Sequence, residues 1–314
     1  MSRSQSLKIM TTDARQRLRL IVAFAVVYIV WGSTFFAIRV GVQDIPPFLL
    51  AGARNASAGL VLMLAAMAGG QLPPWRSPDW ATALPVGILM ITLANGLTTL
   101  SEVLVPSNQA ALISVSSALW TAWFGTFGAR GHPLSPRSRL GLALGFAGAV
   151  LLLMPGEGFS FRHLGAQSLI LVATLCWAAG AMYGRARAPT TPPLMLAAMQ
   201  MFTGGVALLI VGFASGDGPH WQWTARGLGA LLYLAVFGSC LSYTTYIWLI
   251  RRVTPDKLST IAYVNPLVAV ILGWIGLSET LEWTQAAGMV VILTGVLLIN
   301  TPPGWVLRRF QKMA

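Results

Sequence analysis

Along most of this chain the apolar residues do not alternate with polar ones; they run on. Residues 193–214, PLMLAAMQMFTGGVALLIVGFA, hold apolar or small side chains almost throughout, and charged residues gather between such stretches. A lipid-facing strand would change character at every second residue, so continuous runs predict helices, and about 20 helical residues cross roughly 30 Å of hydrocarbon. Ten runs are expected, at about 18–39, 48–69, 81–103, 107–128, 138–154, 164–185, 193–214, 226–249, 257–277 and 283–301. The expected fold class is an all-α integral membrane protein with ten transmembrane helices.

Composition agrees with that reading. Of 314 residues 55% are hydrophobic and only 10% are charged, too few polar side chains to clothe a soluble surface. The formal charge of +12 would suit nucleic acid if it formed a patch, but the cations sit almost entirely in the connections. With a cytoplasmic amino terminus and ten spans, nearly all of them fall on the cytoplasmic side. Arg39, Arg162 and Arg226 fall on the other side, and Arg54 lies within a span. The positive-inside rule gives that asymmetry, and it supports an even number of spans with both termini cytoplasmic. No nucleic-acid partner is expected. The partners are the bilayer and a small-molecule substrate, and a homodimer is left open.

The basic start followed by an apolar run is read as a retained first helix, because the run is too long for a signal peptide and no small-residue cleavage site follows. Cys176 and Cys240 fall inside spans without CxxC or nearby His, so neither a disulfide framework nor a metal site is expected.

The chain also repeats itself. WGSTFFAIRVG at 31–41 is echoed by WAAGAMYGRAR at 177–187, with Trp31 and Trp177 each eight residues before an Arg. Gly59 matches Gly205 at the same spacing, and Gly141, Gly148 and Pro155 match Gly288, Gly295 and Pro302. A near-constant offset predicts a duplicated five-helix unit, 18–155 and 164–301, flanked by a cytoplasmic segment 1–17 and a tail 302–314. Five is odd, so the second copy would enter the membrane from the opposite side. Secondary transporters are often built from such inverted repeats, with the substrate site near the midplane between them.

WGSTFFAIRVG, VPSNQAALI, FGSCLSYTTYIWLIRRVTP and AYVNPLVAVILGWIGLSETL together resemble the EamA-type transporters of the drug/metabolite transporter superfamily. The resemblance covers about residues 20 to 301, in two halves. It implies ten helices, a bacterial cytoplasmic (inner) membrane location, no cofactor, and movement of amino acids or other small metabolites, often outward. One departure is visible: Asn265 and Pro266 of the ninth span correspond to Ser116 and Ser117 of the fourth, which puts a symmetric proline hinge in doubt.

Enzyme chemistry finds few groups to work with. His132, His163 and His220 lie in connections and are read as solvated, and there is no HExxH, GxSxG or P-loop. Polar groups within spans are more informative, since desolvating them is costly. Arg54 is read first as a structural ion pair or a snorkelling cation, with contact to a substrate carboxylate or a gating pair with Glu102 as the functional alternative. Asn95 and Glu102, seven apart, are expected to share an inward helix face with Thr98 and Thr99, which makes Glu102 the candidate for proton coupling; a plain interfacial carboxylate is the alternative. Arg39 and Arg185 are read as interfacial anchors.

Trp31, Trp120 and Trp177 lie within spans and could serve packing, but the repeat points Trp31 and Trp177 at one cavity. Asn95, Ser116, Trp120, Tyr243, Tyr263 and Asn265 are further candidate substrate contacts, Tyr246 supplies another hydrogen-bonding group, and Pro266 is a candidate gating residue because it frees a backbone carbonyl. Gly141, Gly145 and Gly148 form a small-residue stripe that predicts close helix contact and scaffold, not pathway. The expected function is alternating-access export. A lipid-modifying membrane enzyme, or a channel or lipid flippase, is the alternative.

Overall fold

The computed structural model describes residues 3–124, 126–127, 135–153, 161–187, 189–250, 252–253 and 261–300; the tail 302–314, His132 and Pro155 lie outside them. Among the described residues the chain is helical, with no strand. Six helices are long and apolar enough to cross a membrane, and the shorter apolar helices Val264–Leu277 and Trp283–Leu298 accompany them.

Helix α1 runs from Arg3 to Gly41, so the basic leading segment continues into the first apolar run as one helix. Nothing between 3 and 31 interrupts it, neither Pro nor Gly. Helix α2 (Pro47–Ala68) and α8 (Pro193–Ala214) each open on a Pro-Pro pair, where the fixed φ suits the first turn and the missing N–H is not needed. Helix α3 comprises Trp80–Val86, a π-helical stretch Gly87–Asn95, and Gly96–Ser101. Helix α9 repeats that construction with Ala225–Tyr233, a π-helical stretch Leu234–Leu241, and Ser242–Ile250.

The fourth apolar run is two helices, α4 (Ser107–Ser114) and α5 (Ser117–Phe124), parted at Val115 and Ser116. There the backbone closes on i−3 carbonyls, Val115 N–H to Leu112 and Ser116 N–H to Ile113. A break thus exists without a proline, whereas α10 (Ile261–Leu277) runs unbroken through Pro266. The remaining helices are α6 (Pro136–Leu153), α7 (Phe161–Arg187) and α11 (Trp283–Asn300).

Packing pairs like with like. Helix α2 lies against α8 and α6 against α11; α1 contacts α9 and α10, while α7 contacts α3 and the α4–α5 pair. Small residues permit both like-with-like contacts. A Cβ on Gly59 would run into the backbone nitrogen of Phe202, and one on Gly205 into that of Ala56. Between α6 and α11, a Cβ on Gly148 would come within 2.7 Å of the Ile292 nitrogen, and one on Gly295 within 2.7 Å of the Gly145 nitrogen. Where lipid is as apolar as the side chains, such close backbone approach is what holds helices together. Outward faces carry exposed apolar side chains such as Ile210, Phe213 and Ile271.

The connections are tied across the repeats by three carboxylates. Asp44 accepts from Thr224 Oγ1 at 2.7 Å and from Arg226 Nε at 3.1 Å at the start of α9. Asp79, just before α3, accepts from the backbone N–H and hydroxyl of Thr191, each at 2.7 Å. Glu279 accepts from the Ser107 and Asn108 N–H groups at 2.7 and 3.0 Å, capping α4 from the connection after α10.

Two outcomes are expected. Gly205→Val should open the α2–α8 crossing, because a backbone nitrogen cannot yield, and cost about 1–3 kcal/mol or more. Thermal unfolding in detergent checks this against Gly165→Ala, where a Cβ meets nothing within 4 Å; equal melting of the two variants would refute it. Hydrogen bonds from Arg226 and Thr224 hold the Asp44 carboxyl below its ordinary range, and those from Thr191 do the same for Asp79. Their stabilisation is full at neutral pH and fades as pH falls through these lowered values. Melting temperature should therefore drop as pH falls below about 4, and drop less in an Asp44→Asn, Asp79→Asn double variant.

Candidate functional site

Nine helices line a cavity of about 560 Å³, and α6 and α11 contribute nothing to it among the described residues. That volume falls within the range of small-molecule sites. The glycine stripe of α6 therefore serves the scaffold, as its spacing predicted.

The two π-helical stretches shape the cavity. A π turn adds a residue and releases a carbonyl from the regular i−4 ladder, which then needs another donor. In α9 the Gly238 carbonyl accepts from the Trp31 indole N–H at 3.1 Å. In α3 the Met90 carbonyl accepts from Asn95 Nδ2 at 3.2 Å. Trp31 and Asn95 are thus held in place by the backbone irregularity beside them, and both line the cavity.

Aromatic surface covers much of the wall. Trp31 packs on Tyr246 with ring centroids 4.9 Å apart, Tyr243 lies next to Tyr246, and Trp177 lines the same cavity from α7. Tyr243 Oη reaches Gln200 Oε1 at 3.4 Å. Asn265 and Pro266 line the cavity from α10, and Asn265 Oδ1 is buried without a hydrogen-bond partner among the described residues.

Arg54 is 8% exposed and belongs to the lining. Among the described residues it makes neither a salt bridge nor a snorkelling contact; its Nη2 donates to Asn95 Oδ1 at 2.5 Å, while Nε and Nη1 are buried without partners there. The direct pair with Glu102 is absent. Glu102 is fully buried, with both carboxylate oxygens unpartnered among the described residues, and it is outside the cavity lining. Asn95 meets the cavity and Glu102 does not: Glu102 is the C-cap residue of α3, its N–H still bonded to the Thr98 carbonyl at 3.1 Å. It is no interfacial carboxylate either, since no part of it meets solvent.

Other expectations are displaced by local bonds. Arg39 does not simply anchor at the interface: its guanidinium donates to the backbone carbonyls of Glu102 and Val103, joining the end of α1 to the end of α3. Ser116 and Trp120 lie outside the lining, bonded to Thr174 Oγ1 at 2.9 and 3.1 Å, so they seat the α4–α5 break against α7. The ring of His163 meets the Leu104 carbonyl at 3.0 Å instead of water alone. Tyr263 sits on α10, and its side chain falls outside the described residues. The lining also includes Asn55, Thr174 and Ser239, for which the only sequence signal was a polar residue in mid-span.

The EamA-like transporter family model matches this chain twice, over residues 18–154 and 164–301. The chain is 37% identical over 289 residues to "Uncharacterized inner membrane transporter YedA" of Escherichia coli (strain K12), covering 91% of this chain and 92% of that protein. It is 29% identical over 296 residues to "Uncharacterized transporter YvbV" of Bacillus subtilis (strain 168), again covering 91% and 92%. A crystal structure of another protein, 19% identical, superposes with a TM-score of 0.65 over 93% of this chain and 98% of its own, and so shares the fold. The chain is a membrane transporter and belongs to the EamA-like transporter family.

Proposed function

We propose that this transporter exports a small polar or amphipathic metabolite, such as an amino acid, across a bacterial inner membrane by alternating access between two inverted five-helix repeats. The observation that carries the reading is the composition of the cavity wall. Corresponding elements of the two matched segments meet there: Trp31 with Trp177, and the π stretch of α3 with that of α9. A site built from both of two related units is one that both units can close from opposite sides.

The packing supports the inverted arrangement. Counting α4 and α5 as one broken span gives ten spans, and every contact of α1 with α9 and α10 has its counterpart in the contacts of α7 with α3 and α4–α5. Cytoplasmic termini follow from the placement of the cations. Binding in this cavity uses aromatic surface for the apolar part of a substrate, with Asn95, Tyr243 and Asn265 offering hydrogen bonds to its polar part.

Two measurements test the reading. Reporter fusions after residues 132 and 312 should report cytoplasm and fusions after 158 and 217 the opposite side; a carboxy-terminal reporter outside would sink the ten-span inverted arrangement. Trp31→Ala or Trp177→Ala should reduce counterflow of a transported amino acid in proteoliposomes by about tenfold, as loss of a stacking surface worth about 1–1.5 kcal/mol would, with protein yield little changed. Trp283→Ala, at a residue 84% exposed, should leave counterflow intact. Parallel losses of protein in all three would assign the tryptophans to packing instead.

A further inference from the structure

The cavity has a lopsided charge inventory. Arg54 is the one charged side chain in its lining, and no Asp or Glu among the described residues joins it there. A guanidinium carries five N–H donors, and here Nε and Nη1 are held out of water with nothing to donate to among the described residues. Burying a cation with unused donors is costly, and that cost is offset when an anion arrives. Glu102 acts on Arg54 only through space, without a bond.

Low dielectric strengthens the attraction of such a fixed cation for an incoming negative charge. One guanidinium with no second cation beside it compensates one negative charge, which suits a carboxylate and leaves a phosphate dianion over-charged. The rest of the wall is aromatic and apolar, with Trp31, Trp177 and Tyr246 presenting ring surface. Resting on the transport reading above, we infer that the substrate is a carboxylate with an apolar or aromatic body, its carboxylate drawn to the Arg54 guanidinium in the cavity wall.

Asn95 provides an isosteric test. Its Oδ1 already accepts from Arg54 Nη2, so Asn95→Asp places a built-in carboxylate on the guanidinium with almost no change of shape. The probes are 3-phenylpropionate, phenethylamine and phenyl phosphate, which share a ring and differ in the charged group. Binding is read as thermal stabilisation of the purified full chain in detergent, and transport as exchange of each radiolabelled probe in proteoliposomes. For the wild type, 3-phenylpropionate should bind and exchange while the amine and the phosphate do not. Asn95→Asp and Arg54→Gln should each weaken 3-phenylpropionate binding by about tenfold or more, the loss expected for a charge-assisted hydrogen bond. Arg54→Lys should fall between.

The inference is overturned, with transport intact, if phenethylamine or phenyl phosphate exchanges and 3-phenylpropionate does not, or if Asn95→Asp binds 3-phenylpropionate as the wild type does. If Arg54→Gln does not fold, the wild-type series and Asn95→Asp still decide. Failure of all three probes to bind or exchange at millimolar concentration also overturns this inference, while the counterflow of Trp31→Ala and Trp177→Ala judges the transport reading separately.

Discussion

The structure depends on backbone touching backbone where α2 crosses α8. Gly59 and Gly205, matching positions in the two halves, each leave no room for a Cβ against the other helix. Inside a bilayer no hydrophobic gain comes from moving an apolar side chain off lipid and onto another helix, so association relies on close van der Waals contact. The α6–α11 pair repeats the solution with Gly148 and Gly295. Glycines also bring α8 against α3, where a Cβ on Gly204 would meet the Gly87 carbonyl at 2.5 Å.

The cavity follows from that contrast. Aromatic rings and two π-helical stretches supply much of its wall, the glycine-packed α2 and α8 add Arg54, Asn55 and Met201, and the glycine-packed α6 and α11 stay out of it. A carbonyl in each π stretch accepts from a wall residue, Gly238 from Trp31 and Met90 from Asn95. Asn95 then holds one edge of Arg54 and leaves the remaining donors unused. The electrostatic character of the site is thus inherited from a backbone irregularity two steps away.

Carboxylates elsewhere are spent on connections. Asp44 and Asp79 join loops of one half to helix starts of the other, and Glu279 caps α4 across the sequence. A carboxylate at a helix start is favoured by the exposed N–H groups and the dipole. These three bind neighbouring protein groups and take no part in the cavity lining.

Class, family and duplication were legible in the chain alone, because a span must be apolar for its whole length and a duplicated unit keeps its spacing. Trp31, Trp177, Tyr243, Asn265 and Pro266 were legible as wall residues for the same reason: aromatic and polar groups inside a span need a partner, and the repeat paired the tryptophans. Other positions were settled only in three dimensions. Asn95 and Glu102 look equivalent at a spacing of seven, yet only Asn95 lines the cavity, while Glu102 is the buried C-cap residue of α3. Ser116 and Trp120 look like cavity residues until Thr174, more than fifty positions later, accepts them both. Arg54 looks like half of an ion pair until the fold sets Asn95 beside it and leaves Glu102 unbonded. Periodicity determines which residues enter the membrane together; which of them meet depends on where a helix stops or bulges and on what the neighbouring helix presents, and those are properties of the packed structure.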